Sequence, residues 1–386
     1  MNAVASTDAG RKRLLFVVTE DWYFVSHRMP IARAARDAGY DVLVATRISG
    51  SAALIENEGF TCISLKRMRR SGKNPISELG SILELVNVYR QYRPSIVHHV
   101  ALKPVVYGSI AARFAGIAAI VNNVAGLGFV FSSKGIYAKI LRRLLSPLLR
   151  YALKQPSTLT IVQNRDDAQV LSKDMGVASE SIRLIKGSGV DLSHFAGPRR
   201  EASPPIVLLA SRMIREKGID DFVSAAALLK RDNIGARFVL AGAPDPENPH
   251  SIPEAVLRQY HEAGLAEWWG HRDNIPEMMR QAAIVCLPTT YGEGVPKTLI
   301  EAAAGECAIV AYDTPGCREI VVDGGNGVLV PPGNVVQLAR AIEALLANPT
   351  RRRLMGERGG ELAKREFAQE IIVAQTLAVY SELLKR

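Results

Sequence analysis

Residues 14–45, LLFVVTEDWYFVSHRMPIARAARDAGYDVLVA, contain a complete strand–helix–strand unit. The apolar run Leu14–Val18 predicts a buried strand, and Tyr40–Ala45 predicts a second one. Between them, residues 27–39 have a helical pattern that stops at Gly39. A strand, a helix and a strand in this order are typical of a parallel sheet, because the helix carries the chain back to the starting edge.

The same alternation continues through both halves of the chain. Further strand-like runs lie at 61–65, 95–100, 117–122, 159–162, 206–210, 237–241, 283–287 and 308–311, and helical stretches lie at 219–231, 251–263 and 297–304. The Pro-rich, charged segment 191–206 is interpreted as a linker, and the chain from Asn334 is predicted to be helical. The sequence therefore predicts an α/β protein of two doubly wound domains that face each other across a cleft, where open α/β sheets bind their ligands.

Length and composition limit the class of protein. A chain of 386 residues with 48% hydrophobic residues can form two full-sized cores of a soluble protein. Its four Cys residues follow neither CxxC nor Cys/His spacing, so we expect neither a disulfide framework nor a zinc site. The expected location is the reducing cytoplasm. The N-terminal residues contain no apolar signal core, and no apolar run reaches the roughly 18 residues that span a bilayer.

The charge of the chain is unevenly distributed. Residues 1–190 hold 26 Lys and Arg against 13 Asp and Glu, whereas residues 191–386 hold 22 against 25. No acidic residue occurs between Glu84 and Asp166. A basic first half predicts an anionic partner, which is a phosphate, a nucleic acid or a membrane surface.

Two carboxylates flank a predicted helix start in GEGVPKTLIE, residues 292–301. Eight residues of helix separate Glu293 from Glu301 by ~12 Å, which is too far for an acid/base pair acting on one glycosidic bond. The two acids could instead hold hydroxyl groups at the two ends of a sugar–diphosphate–nucleoside, with the anion at the helix start between them. The alternative is that Glu293 only caps the helix and Glu301 lies at the surface.

Other segments bear on this hypothesis. Arg212 and Lys217 lie in a predicted strand-to-helix loop, from which cations can reach phosphate oxygens, although basic loops also commonly face solvent. The segment 314–319 offers a further turn after a strand. No GxGxxG follows a strand, no GxxxxGK[ST] occurs, and no Asp-x-Asp pair suggests a divalent ion.

The motifs together resemble a known family. They are SRMIREKG (211–218), GHRDNIPEMM (270–279), YGEGVPKTLIEAAAGECAIV (291–310) and PGCREIVVDGGNGVLVPP (315–332), with VSHRMPIARAARDAGYDV (25–42), VHHVALKPVVYGSIAA (97–112), NNVAGLGFVF (122–131) and IKGSGVDLSHF (185–195) in the first half. This set is similar to glycosyltransferase family 4 of the GT-B fold, and in particular to bacterial enzymes that extend polyprenyl-diphosphate-linked sugars, including the N-acetylgalactosaminyltransferases of N-glycan and O-antigen assembly.

The resemblance implies a retaining transfer from a nucleotide sugar, most simply a UDP-sugar, without a metal or other cofactor. Arg212 and Lys217 would neutralise the donor diphosphate, and Glu293 would hydrogen-bond the donor sugar. The remaining donor-binding residues would be Gly294, Val295 and Pro296 along the sugar and phosphate, the N–H groups of Thr298 and Leu299 at the phosphate, Glu301 at the ribose, and Arg272 at the base. The leaving phosphate would accept the proton of the acceptor, which requires electrostatic stabilisation rather than a protein nucleophile.

The acceptor side is less closely determined by the sequence. Family members carry a His after the strand 95–100, and here His98, His99 or Lys103 could fill that place; His99 is the catalytic candidate, or else a packed core residue. His27 and Arg28 could meet an acceptor diphosphate, or could be solvated charges at a helix start. Gly126 and Gly128 would form a flexible loop at the cleft, or simply a turn.

The stretch 136–154 has a basic face and an apolar face at helical spacing, with Pro147 predicted to kink or split it. It predicts contact with an anionic membrane surface, against the alternative of an ordinary helix covering a sheet. The candidate membrane residues are Lys139, Arg142, Arg143, Leu144, Leu145 and Arg150. A lipid-linked glycan acceptor would account for this surface and for a peripheral position at the cytoplasmic face of the inner membrane.

We therefore expect an acceptor- and membrane-facing domain over residues 1–190 and a donor-binding domain over 191–369, with a final helix at about 370–386 packing back on the first domain. The expected activity is transfer of a sugar, most simply an N-acetylhexosamine, to a polyprenyl-diphosphate-linked glycan. Two alternatives are a GT-B nucleotide-sugar epimerase and a basic nucleic-acid-binding protein. The second is disfavoured, because aromatic residues make up only 6% of the chain and the basic helix is rich in Leu.

Overall fold

The protein is described by a computed structural model, which covers residues 11–70, 75–128 and 135–386. Within this part of the chain, the side chains of residues 75, 76, 136–141 and 144 are not described. Two parallel sheets form the framework, one from each half of the chain.

The first sheet has seven strands in the order β3-β2-β1-β4-β5-β6-β7, all parallel. Its strands are β1 (Arg13–Glu20), β2 (Asp41–Arg47), β3 (Thr61–Ser64), β4 (Ile96–Val100), β5 (Ala119–Val124), β6 (Thr158–Val162) and β7 (Ile182–Leu184). The strand order reverses between β1 and β4, and ligands of open α/β sheets bind at such a point.

The second sheet has six strands in the order β10-β9-β8-β11-β12-β13, also all parallel. Its strands are β8 (Ile206–Ala210), β9 (Arg237–Ala241), β10 (Glu267–Gly270), β11 (Ala282–Leu287), β12 (Ala308–Tyr312) and β13 (Gly327–Val330). The two doubly wound sheets confirm the predicted α/β fold class.

Helices cover the faces of both sheets. In the first half these are α1 (Asp21–His27), α2 (Met29–Asp37), α3 (Ala52–Glu56), α4 (Pro75–Tyr92), α5 (Leu102–Ala115), α6 (Ile136–Leu153) and α7 (Arg165–Gln169). In the second half they are α8 (Leu192–Phe195), α9 (Ile219–Arg231), α10 (Glu254–Glu262), α11 (Ile275–Gln281), α12 (Lys297–Ala304), α13 (Pro315–Arg318), α14 (Val335–Leu346), α15 (Pro349–Leu362) and α16 (Gln369–Leu383). Helix α6 is continuous through Pro147, which corrects the expectation that this proline splits it.

Strand β1 shows why the central strands are continuous apolar runs. Successive side chains of a strand point to opposite faces of the sheet. Leu14, Phe16 and Val18 accordingly pack in one core cluster, while Leu15 and Val17 pack in another. A parallel sheet covered by helices on both faces therefore needs apolar residues at every position, not at alternate ones.

The last helix joins the two halves of the molecule. Helix α16 follows the second sheet in sequence, yet its Ile372, Val379, Tyr380 and Leu383 belong to a core cluster of the first sheet. The hydroxyl of Tyr380 lies 2.6 Å from Nδ1 of His98 on β4. The chain thus passes between the two lobes twice, once after β7 and once before α16.

Candidate active site

An ion pair in the cleft joins the two loops that the sequence analysis identified. Lys217 lies in the helical turn Arg215–Lys217 after β8, and its Nζ donates to Oε1 of Glu293 at 2.6 Å. Lys217 is only 8% exposed, so its charge lies largely out of water. The hydroxyl of Thr289, which donates to the Glu216 carbonyl at 3.0 Å, lies 3.4 Å from Oε1 of Glu293. A cation and a carboxylate are thereby fixed side by side, ready for an anion and for hydroxyl groups.

The loop that carries Glu293 is wedged between the lobes. The N–H of Gly294 donates to the carbonyl of Ala125 at 3.1 Å, and the N–H of Gly128 donates to the carbonyl of Gly292 at 2.9 Å. A Cβ on Gly126 would lie 2.4 Å from the Gly292 carbonyl oxygen. Gly126 and Gly128 therefore lie in a turn packed against the second lobe, which agrees with the second of the two alternatives.

Helix α12 begins directly after this loop. Pro296 is its N-cap rather than its first residue, and Val295 before it is buried. The N–H of Leu299 donates to the Pro296 carbonyl at 3.0 Å. Contrary to the expectation, this N–H is therefore not available to a phosphate. The hydroxyl of Thr298 donates to the carbonyl of Ala210 at 2.8 Å, which ties α12 to the end of β8. Within the described part of the chain, the N–H of Thr298 has no acceptor.

Glu301 lies on the first turns of α12. Burial raises the pKa of its carboxyl group, although Lys297 opposes this shift from 3.5 Å. The Nζ of Lys297 also donates to the carbonyl of Ser26 in the first lobe, at 3.0 Å. Glu301 is thus a largely buried carboxyl group beside a lysine, and it can accept hydrogen bonds from hydroxyl groups.

A cavity of about 410 Å³ lies beside these residues. Arg212, Arg272 and Thr298 line it from the second lobe, and Trp22 and Arg70 line it from the first. The structure therefore brings Arg212, Thr298 and Arg272 together around one space, as the donor-binding hypothesis requires.

Arg212 has a protein partner in this cavity. Its Nη1 donates to Oδ2 of Asp245 at 2.6 Å, and Nη2 of Arg70 donates to the same oxygen at 2.8 Å. Asp245 and Arg70 were not identified from the sequence. Asp245 follows β9 and Arg70 belongs to the basic run 66–70, but nothing in their spacing shows that the two segments meet across the cleft.

His27 and Arg28 lie at the junction of α1 and α2. The ring of His27 stacks on Tyr23 at 4.1 Å, and burial with the nearby charges of Lys297 and Arg28 lowers its pKa well below the usual value. Arg28 is 1% exposed, and its Nε and Nη2 atoms have no hydrogen-bond partner among the described residues. The expectation of solvated charges at a helix start is therefore wrong for Arg28.

His99 lies in the core of the first lobe. It is fully buried; its Nε2 pairs with the hydroxyl of Tyr89 at 2.9 Å and its Nδ1 with Oδ1 of Asn122 at 2.8 Å. Burial lowers its pKa to about 4. With both ring nitrogens engaged, His99 does not face a reacting centre, and this position corrects the catalytic expectation.

Lys103 is engaged away from the Lys217–Glu293 pair. Its Nζ lies 2.8 Å from Oε2 of Glu78 on α4 and 2.6 Å from the Arg69 carbonyl oxygen. The structure thus places Lys103 in a bridge from α5 to α4 and the segment before it, and a role of Lys103 on the acceptor side stays a prediction.

The candidate membrane residues lie on α6. Arg143 and Arg150 are exposed, and Arg142 and Leu145 are partly exposed. Leu148 and Tyr151 on the same helix are 44% and 49% exposed. The side chains of Lys139 and Leu144 lie outside the described residues. None of the helices in the described ranges is long and apolar enough to cross a membrane.

Two family models match the chain. Residues 13–164 match a model described as glycosyl transferase 4-like, and residues 193–361 match one described as glycosyl transferases group 1. A relative from Campylobacter jejuni, an N,N'-diacetylbacillosaminyl-diphospho-undecaprenol alpha-1,3-N-acetylgalactosaminyltransferase, is 26% identical over 93% of this chain and 95% of its own length.

Solved structures show the same architecture. Sucrose-phosphate synthase from Thermosynechococcus elongatus superposes with a TM-score of 0.79 at 20% identity, covering 97% of this chain and all of that one. Anabaena Alr3699/HepE, crystallised with UDP and glucose, gives 0.75 at 18% identity, with 96% and 100% covered. The chain is therefore a glycosyltransferase of the GT-B fold, built from a glycosyl transferase 4-like domain followed by a glycosyl transferases group 1 domain.

Proposed function

We propose that this glycosyltransferase retains the anomeric configuration and moves an N-acetylhexosamine from a UDP-sugar to a polyprenyl-diphosphate-linked glycan. The ion pair between buried Lys217 and partly buried Glu293 is the observation that carries this proposal, because it sets a phosphate-binding cation beside a carboxylate that can bind a sugar hydroxyl. The name of the Campylobacter relative supports the acceptor class, and the UDP complex of the Anabaena protein supports the nucleotide.

The donor occupies the cavity and the loop before α12. Lys217 and Arg212 neutralise the diphosphate, with the Thr298 N–H donating to it. Glu293 and the backbone of 294–296 hold the sugar, Glu301 accepts from the ribose hydroxyls, and Arg272 meets the base. No metal or other cofactor is assigned to this site.

The transfer proceeds on the face of the sugar from which the nucleotide leaves. The bond from the anomeric carbon to the diphosphate oxygen breaks as the acceptor hydroxyl bonds to that carbon. The leaving phosphate takes the hydroxyl proton, so no protein nucleophile is needed. Lys217 and Arg212 stabilise the charge that develops on the diphosphate, which is the main contribution expected of such a site.

The first lobe, residues 1–190, receives the acceptor, and residues 191–369 bind the donor. His27 and Arg28, next to Lys297 in the cleft, meet the acceptor diphosphate. The basic, partly apolar face of α6 rests on an anionic membrane surface. In this proposal the enzyme works peripherally at the cytoplasmic face of the inner membrane, where it meets a lipid-linked substrate.

The proposal is tested by replacing the central pair. We expect Lys217→Ala and Glu293→Ala each to lower transfer by about 100-fold or more, because each removes charge stabilisation at the reacting centre. The measurement is UDP release from a panel of UDP-sugars, with a polyprenyl-diphosphate sugar as the acceptor.

Lys364→Ala and Glu361→Ala are matched controls, because both side chains are exposed on the second lobe far along the chain from the cleft loops. They should transfer at the wild-type rate, and all four variants should keep a cooperative thermal transition. Near-normal turnover by either cleft variant would show that the site is elsewhere.

A further inference from the structure

Three side chains from the two lobes meet at the edge of the cavity. Asp245 follows β9 in the second lobe, and its Oδ2 accepts hydrogen bonds from Arg212 at 2.6 Å and from Arg70 at 2.8 Å. The other guanidinium nitrogen of Arg70 donates to Oδ1 of Asp245 at 3.2 Å. Arg70 comes from the first lobe, so this contact crosses the cleft.

The charges in this cluster do not balance. Burial tends to raise the pKa of Asp245, but the hydrogen bonds and charges of Arg70 and Arg212 outweigh it and lower this pKa. The carboxyl group is therefore ionised at neutral pH, and one negative charge faces two guanidinium groups. A unit of positive charge remains, which an anionic ligand would neutralise.

The surplus charge faces the ligand space. Arg70, Arg212, Arg272 and His271 line the cavity of about 410 Å³, and Asp245 is the acidic residue in its lining among the residues that the structure describes. The guanidinium of Arg70 lies 5.8 Å from the ring centre of Trp22, which lines the same space. Arg70 is thus held at the cavity by Asp245 of the second lobe and by Trp22 of the first.

Another ion pair between the lobes lies nearby, outside the lining of the cavity. Nη2 of Arg47 lies 2.5 Å from Oε1 of Glu247, two residues beyond Asp245. Neither Arg47 nor Glu247 lines the cavity, whereas Arg70 does. The two interlobe ion pairs therefore differ in position, and this difference separates a binding role from a structural one.

We propose that Arg70 is a donor-binding residue supplied by the acceptor lobe. Its guanidinium binds the diphosphate of the nucleoside diphosphate together with Arg212, and Asp245 positions both arginines before the ligand enters. The proposal rests on the proposed function, in which this cavity takes a nucleotide sugar. It adds that donor binding itself draws on both lobes, because one phosphate ligand comes from each.

The test is the affinity of the full-length protein for UDP and for uridine, measured by calorimetry. We expect Arg70→Ala to weaken UDP binding by about tenfold or more, as loss of a charge-assisted contact does, and to leave uridine binding within about twofold. Arg70→Lys should fall between the wild type and Arg70→Ala, because a lysine keeps the charge but loses the paired donors.

Two controls isolate the role of Arg70. Arg69→Ala removes the same charge from an exposed neighbour, and Glu247→Gln breaks the ion pair with Arg47; both should bind UDP as the wild type does. Equal UDP affinity of Arg70→Ala and wild type, or an equal loss in Glu247→Gln, would overturn the inference. Arg212→Ala tests the donor site separately: failure of the wild type to bind UDP, or unchanged binding by Arg212→Ala, would reject the proposed function instead.

Discussion

Arg28 lies in an unfavourable environment for a charged side chain. Its guanidinium is 1% exposed, and two of its donor atoms lack partners among the described residues. The desolvation of such a group lowers the free energy of unfolding, because apolar neighbours do not replace its hydrogen bonds to water. Nε2 of His98, on the same face of the first sheet, also lacks a partner among those residues. The usual reason to keep such a charge is a ligand, and the proposed acceptor diphosphate would supply the missing acceptors.

We therefore predict that Arg28→Met stabilises the protein but weakens its binding of the acceptor. Replacing a buried, uncompensated charge by an apolar side chain of similar length should raise the free energy of unfolding by about 1 kcal/mol or more. The KM for the acceptor should rise at least several-fold, with the KM for the donor unchanged. Thermal unfolding and steady-state kinetics measure the two effects.

Arg36→Met, on the exposed face of helix α2 that follows Arg28, is the control, and it should change neither KM. A destabilised Arg28→Met variant with normal acceptor kinetics would contradict this assignment and would show that Arg28 is a structural residue.

At the scale of elements, the sequence analysis predicted the central strands and missed three edge strands. Strands β7, β10 and β13 each end a sheet, and their side chains are mostly half-buried or exposed. An edge strand has a neighbour on one side only, so it does not need the continuous apolar run that revealed β1 or β11. Helix α12 was predicted at its observed bounds, because the Pro before it and its apolar spacing are both local signals.

Gly294 shows how closely the loop before α12 is fitted. A Cβ at this position would lie 2.0 Å from Oε1 of Gln163, which accepts from the Val295 N–H at 3.1 Å. We predict that Gly294→Ala lowers transfer by at least about tenfold, because the displaced loop carries Glu293 away from Lys217. The global fold should survive, since the change is confined to a cleft loop.

Gly235→Ala is the matched control. An added Cβ there meets no atom within 4 Å, and the residue has ordinary backbone angles. Its activity and melting temperature should equal those of the wild type. Full activity of Gly294→Ala would mean that the loop tolerates a shift at its most crowded point.

At the scale of the whole molecule, the site depends on contacts that no local pattern reveals. Glu293, Glu301, Arg212 and Lys217 could be proposed from spacing and from the family resemblance. The partners Asp245 and Arg70 could not, because their contact depends on how two lobes pack across a cleft. The choice of His99 failed for a related reason: the sequence placed it at a strand end but did not show which atoms surround its ring.

The return of α16 to the first lobe leads to a prediction about truncation. A chain ending at residue 367 loses Ile372, Val379, Tyr380 and Leu383, each buried against the first lobe. At about 1.5–3 kcal/mol per buried apolar side chain, the loss is on the order of the stability of a domain. We expect the first lobe of this truncated chain to lose its cooperative transition in calorimetry.

A chain ending at residue 384 is the control, because it lacks only Lys385 and Arg386, and it should melt as the wild type does. Two undiminished transitions in the chain ending at residue 367 would show that α16 is dispensable for the first lobe.

Helix α16 also affects the order in which the two lobes can fold during synthesis. A ribosome delivers the chain from its N-terminus, and domains generally fold as they emerge. Here the second lobe leaves the ribosome before the first has received its final helix. The first lobe thus stays incomplete until α16 has emerged, and the growing chain exposes a hydrophobic surface of that lobe until then.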